Sequence, residues 1–334
     1  MAARPAFLIT IDTEGDAIWS RPRRIETRNA GFLPRFQALC ERHGFKPTYL
    51  TNYEMAESVE FQEFGREVLR RGSGEIGMHL HAWNSPPLHD LTGDDFRHQP
   101  FLVEYPAAVM AAKVAHMTAL LEARFGTRMR SHRAGRWATD PRYIELLLLH
   151  GYEVDCSVTP GVSWRRTMGD PRAQGGTDYR AYPSQAYYVD PLQPQRPGRS
   201  SLLELPVTVD VAYPLLDALA RTPLQAVAPF ARLAARRRWL RPNGDNLQQL
   251  LDLVSRHQRR GTPYIEFILH SSEFMPGGSP IFPDAPAIER LYAHLETLFA
   301  AIALHFRGAT LSEYAAAVKA GDYPALGGIA ATGA

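Results

Sequence analysis

Ala6-Phe7-Leu8-Ile9-Thr10-Ile11-Asp12-Thr13-Glu14-Gly15-Asp16 is the stretch on which the fold of this chain turns. It begins as a short run rich in Phe, Leu and Ile, the signature of a core strand, and stops at an acidic cluster. Three later stretches repeat the design. They are Met78-His79-Leu80-His81, Ser131-His132-Arg133-Ala134-Gly135-Arg136-Trp137 and Ile268-Leu269-His270-Ser271-Ser272-Glu273. In parallel α/β architectures, sites gather at the carboxyl ends of strands. Four strand ends carrying titratable groups therefore predict one shared site.

Working outward, strand-like and helix-like segments alternate. Residues 6–12, 47–51, 75–81, 129–134, 153–158 and 264–270 read as strands, and 30–43, 58–71, 106–124, 140–150 and 285–306 as helices. That order predicts parallel strands with helices packed outside. Periodicity does not distinguish an open sheet from a closed barrel. Residues 84–105 break the rhythm with a Pro-, Asp- and His-containing connection directly after His81, long enough to predict a loop over the site. A second irregular stretch, rich in Gly, Pro, Tyr and Arg, spans residues 160–189.

Bulk properties narrow the class. The 334 residues suffice for one large α/β domain, and no internal boundary or repeat divides them. We read residues 1–320 as one catalytic domain and residues 321–334 as a flexible tail. A formal net charge of +2 makes no argument for nucleic acid, and none is expected as a partner. The one basic concentration, residues 232–241, reads as the solvated end of a helix or as a contact for phosphate or a membrane surface. Two cysteines, Cys40 and Cys156, are too few for a disulfide framework. Met1 leads into the first strand without an apolar leader, and no stretch reaches the roughly 18 charge-poor apolar residues of a spanning helix. The expectation is a soluble, cytoplasmic protein without a transmembrane segment.

The polar strand ends carry the chemistry. Side chains alternate along a strand, so Asp12 and Glu14 share a face, as do His79 and His81. Two imidazoles at that spacing, with a carboxylate from another strand, form a His₂-carboxylate set. Such a set suits zinc or a similar divalent ion and leaves positions open for water and substrate. His132, next to Arg133, should point away if Arg133 points inward.

These stretches, in order, resemble the polysaccharide-deacetylase superfamily (NodB homology, carbohydrate esterase family 4). The resemblance is closest to its branch in surface-polysaccharide and lipopolysaccharide biosynthesis. It runs from Phe7 to about Glu313. Ile9-Thr10-Ile11-Asp12-Thr13-Glu14 matches the acidic first motif, and Glu75-Ile76-Gly77-Met78-His79-Leu80-His81 the second. Arg133-Ala134-Gly135-Arg136-Trp137 matches the third, Val154-Asp155-Cys156-Ser157 loosely the fourth, and Leu269-His270 the fifth. The pattern departs from the family in four ways. Thr13 separates the carboxylates, the histidines stand two apart rather than four, the third motif lacks its usual proline, and the fifth is contracted.

The resemblance implies a distorted (β/α)7-type barrel and a deacetylase acting on linear amides. It implies Asp12 as general base, with Arg133 pairing to it, and Glu14, His79 and His81 as ligands to zinc (cobalt, manganese or nickel being alternatives). His270 would be the general acid, tuned by Asp155. Trp83, Arg136, Trp137 and Asp155 would contact substrate, with a backbone N–H near Arg136 or Trp137 holding the oxyanion. The expected partner is an N- or O-acetylated sugar or glycan precursor, nucleotide- or lipid-linked. Two other readings keep the fold: an amide hydrolase acting on a small non-sugar metabolite, and a catalytically silent metal- or sugar-binding protein.

Overall fold

The structure, a computed structural model, describes residues 4–211 and 237–328. Its strands are β1 (Ala6–Thr13), β2 (Pro47–Thr51), β3 (Glu75–Leu80), β4 (Ser131–Ala134), β5 (Val154–Asp155), β6 (Tyr187–Tyr188), β7 (Leu203–Glu204), β8 (Val209–Val211), β9 (Arg237–Trp239), β10 (Tyr264–His270) and β11 (Arg307–Ala309). The principal helices are α1 (Leu33–Arg42), α2 (Val59–Arg71), α3 (Ala107–Phe125), α4 (Pro141–Leu149), α5 (Leu247–Arg260), α6 (Ala285–Ala303) and α7 (Leu311–Lys319). Residues 232–236 of the basic stretch, and 329–334 of the tail, lie outside the described residues.

Alternation along β1 sets the architecture. Phe7, Ile9 and Ile11 enter the large apolar cluster shared with the helices, whereas Ala6 and Leu8 join a smaller one on the other side. The same parity holds in β3, where Ile76, Met78 and Leu80 face the helices, and in β10, where Ile265, Phe267 and Leu269 do. Thr10, Asp12, Gly77, His79, Glu266 and His270 therefore occupy the inward face. Side-chain caps hold the helix starts: Asp140 accepts from the Tyr143 N–H, Asp284 from Ala287 and Thr310 from Glu313.

The main sheet runs β10-β1-β2-β3-β4-β5-β7-β6, parallel except where β6 meets β7. β11 pairs with Ala6–Leu8 of β1, while β2 begins its pairing only at Ile9. The sheet curls until its ends approach, and irregular backbone closes the gap. Leu205 N–H bonds the Asp155 carbonyl and Val207 N–H that of Val158, while Glu266 N–H donates to Thr208 Oγ1 and Ile268 N–H to the Leu240 carbonyl. The result is the distorted single-domain barrel expected from the sequence. None of its described helices is long and apolar enough to cross a membrane.

Candidate metal centre

Register brings the polar strand ends together. Asp12 lies opposite His270 in the β1–β10 ladder, and His79 opposite Arg133 in β3–β4. Glu14 stands one residue past β1 and is pinned by Ser271, whose Oγ accepts from the Glu14 N–H at 3.1 Å and donates to its carbonyl at 3.0 Å. The adjoining Gly15 N–H donates to the half-buried Glu54, whose carboxyl is pushed up to about 7 by desolvation and is also bonded to Asn52 and Asn84. Asp16 caps the following turn by accepting from Arg28 and Asn29.

The donor atoms of Glu14, His79 and His81 all lie within 4.8 Å of one another. His81 Nε2 is 2.9 Å from Glu14 Oε2 and 2.9 Å from His79 Nε2. His79 Nδ1 sits 2.9 Å from the Arg133 carbonyl, so its proton belongs there and Nε2 presents a lone pair to the cluster. Burial holds His79 down to about 4 and His81 to about 3, so both rings stay neutral in ordinary buffers. Two neutral imidazoles and a carboxyl group converging at this distance fit a divalent cation, whose binding displaces any proton they hold.

Asp12 stands beside this trio. Its Oδ1 accepts from Arg133 Nη1 at 2.5 Å. Burial works to raise its pKa, but Arg133, with His79 and His270, holds it well below the usual carboxylate range. Arg133 is fully buried; it also donates to Thr10 Oγ1, the Cys156 carbonyl and Glu266. One guanidinium neutralises one carboxylate, and burial pushes the second, Glu266, up to about 7.

His270 faces the cluster from the opposite wall. Its Nε2 is 3.7 Å from both Asp12 Oδ2 and Glu14 Oε1, and its Nδ1 is 3.1 Å from Glu273 Oε2. Burial and Arg241 lower the His270 pKa, but Glu14 and Glu273 outweigh them and leave it raised. Arg241 also bonds Glu273, at 3.0 Å. Asp155, expected to tune His270 and touch substrate, does neither. It is buried away from the cleft, accepting from His132 at 2.8 Å and Ser157 at 2.7 Å. Parity explains this correction: His132 points away from the cleft, as expected, and its imidazole claims the nearest carboxylate.

The cluster floors a cleft of about 310 Å³, walled by Trp19, Trp83, Trp137, Trp164 and Arg136 and closed at one side by Arg241 and His270. Trp83 stacks edge-on to His81 at 4.3 Å, and Trp19 to His270 at 4.9 Å. The loop after β3 does border the cleft, through Trp83 and Gln99. Arg136 ties that loop down by donating to the Gln99 carbonyl. Sequence reasoning missed Glu54, Glu266, Trp19 and Arg241 as parts of the surroundings. Only the Ser271-Ser272-Glu273 run beside His270 carried a sequence signal for Glu273.

Two solved structures share this arrangement of elements. One, from Mycobacterium smegmatis, is a presumed polysaccharide deacetylase: 16% identical, spanning 98% of this chain and 97% of that one, with a TM-score of 0.53. The other, from Parabacteroides distasonis, is a presumed glycoside hydrolase/deacetylase: 10% identical, spanning 96% and 72%, with a TM-score of 0.61. The fold is that of the polysaccharide deacetylases. A 4-alpha-glucanotransferase from Thermococcus litoralis is also similar in fold to this chain, at 15% identity and a TM-score of 0.51 over 95% of this chain and 40% of that one. The chemistry must therefore be argued from the side chains. No family sequence profile and no curated protein matches the chain.

Proposed function

We propose that the protein is a metal-dependent deacetylase that hydrolyses the acetamido group of a sugar. The observation that carries this reading is the convergence of Glu14, His79 and His81 on one point, with Asp12 and His270 beside it and outside the ligand trio. A divalent cation there, zinc by the donor set, would polarise the amide carbonyl and acidify a water.

The remaining steps belong to the chain. Asp12 stays ionised and takes the proton of the attacking water. A carboxylate held so low is a weak base, so the transfer relies on that water being acidified. Arg133 is a positioning residue that fixes Asp12 from beneath. His270 donates from Nε2 to the departing nitrogen, while Glu273 accepts from Nδ1 and keeps the ring oriented. The turn at Arg136 and Trp137, both left-handed with φ of 57° and 64°, holds strain of the kind found at ligand-facing backbone. We assign it the developing oxyanion. Trp83, Trp137 and Trp164 offer flat apolar faces to sugar rings. We assign the substrate to the precursors of surface-glycan or lipopolysaccharide assembly, a reading supported by the resemblance of the sequence motifs alone.

Acetate release from N-acetylated sugars tests the reading. Release should require metal, stop with a chelator and return with zinc. Chelator-insensitive release, release only from non-sugar amides, or none from any amide would overturn it.

A further inference from the structure

A second cleft of about 400 Å³ opens beside the first and shares Trp137, Trp164 and Arg241 with it. Its other walls come mainly from β9, the turn after it and the start of α5, notably Arg238 and Trp239, and no Asp or Glu among the described residues lines it. Arg241 is committed to Glu273. Arg238 is not committed: it is half-buried and its guanidinium makes no hydrogen bond or ion pair with a described residue. The carboxylate on the paired strand, Asp210, is taken by Arg256 and Arg260. A partly desolvated guanidinium without a counter-charge is costly to keep, and its planar fork matches phosphate or carboxylate oxygens. Trp137 and Trp239 lie 5.9 Å apart at 53°, leaving aromatic surface next to that charge.

We propose that this second cleft is a substrate subsite for an oxyanion, a phosphate or a sugar carboxylate, carried next to the acetamido sugar. The guanidinium of Arg238 takes the oxyanion, and the tryptophans take the ring or base that bears it. The identity of the neighbouring sugar rests on the deacetylase reading; the anion preference does not.

The test is calorimetry on zinc-loaded Asp12→Asn protein, in which turnover is silenced. The probes are N-acetylglucosamine, its 1-phosphate, and a disaccharide joining it to glucuronic acid. At least one anionic probe should bind roughly tenfold or more tighter than the neutral sugar, the scale of one charge-assisted hydrogen bond. Which probe gains names the oxyanion. Adding Arg238→Gln should erase the preference, and Arg238→Lys should keep part of it. Equal binding of all three probes, or a preference untouched by Arg238→Gln, overturns the subsite. The first comparison needs no change at Arg238, so a poorly folding variant cannot shelter the proposal. If the parent protein releases no acetate while Asp12→Asn protein still prefers the anion, the subsite stands and the deacetylase reading falls.

Discussion

Asp12 and Glu14 stand two residues apart, both buried, yet their surroundings push them in opposite directions. Arg133 holds Asp12 low, whereas burial raises Glu14, with Asp12 and Glu273 adding to it. Divided environments divide roles. Asp12→Asn should keep bound metal and lose about 10²–10⁴-fold in kcat. Glu14→Gln should lose the metal itself, as metal analysis beside acetate release would show; the reverse pattern would exchange the two assignments. Glu266 supports a second prediction. Its folded-state pKa of about 7 lies above the ordinary 4.5, so the folded protein holds an extra proton between those values. That contribution is present below the window and is lost as pH rises through it. Glu266→Gln should therefore gain stability relative to the parent by up to about 3 kcal/mol between pH 4.5 and 7, read by urea unfolding. A difference independent of pH would mean that Glu266 is ionised throughout.

At the scale of the element, β3 positions the site through its neighbours. A Cβ on Gly77 would stand 2.3 Å from Ser131 Oγ and 2.9 Å from Leu50 Cδ2, so the inward face of β3 has no room there. Gly77→Ala should cost about 1–3 kcal/mol and displace His79, two residues on. Weaker metal binding with an unchanged unfolding midpoint would refute the packing argument. The loop after β3 depends on Lys113 of α3, whose ammonium donates to the carbonyls of Ser85 and Pro87 and is pushed down to about 8 by burial. Lys113→Met removes both bonds. Hydrogen exchange across residues 84–99 should rise, and because Trp83 and Gln99 border the cleft, KM should rise with it. Unchanged exchange would show that the loop is held by other contacts.

Over the whole molecule, the site joins segments from opposite ends of the chain. Glu14 follows the first strand, His79 lies in the third and His81 just past it, and His270 ends β10, more than 250 positions after Glu14. A cation binding all three candidate ligands would bind the folded state far better than the unfolded one. Chelation should then lower the thermal midpoint, by the equivalent of about 2.7 kcal/mol if free metal had been a hundredfold above Kd. His79→Ala should start at the lower midpoint and not respond to chelator. An equal response in both proteins would place the stabilising metal elsewhere.

The sequence by itself determined the alternation of strand and helix, the strands that end in chemistry, the shared face of Asp12 and Glu14, and that of His79 and His81. All of these follow from local periodicity, which the chain carries within a few residues. Strands of two residues, such as β6 and β7, have no period to read, so closure of the barrel by irregular backbone at Leu205–Thr208 and Leu240 was decided only in three dimensions. The partner of His270 was decided there too. Resemblance pointed to Asp155, but the fold gives that carboxylate to His132 and sets Glu273 against His270, because a buried charge is matched by whichever opposite group packing brings within reach.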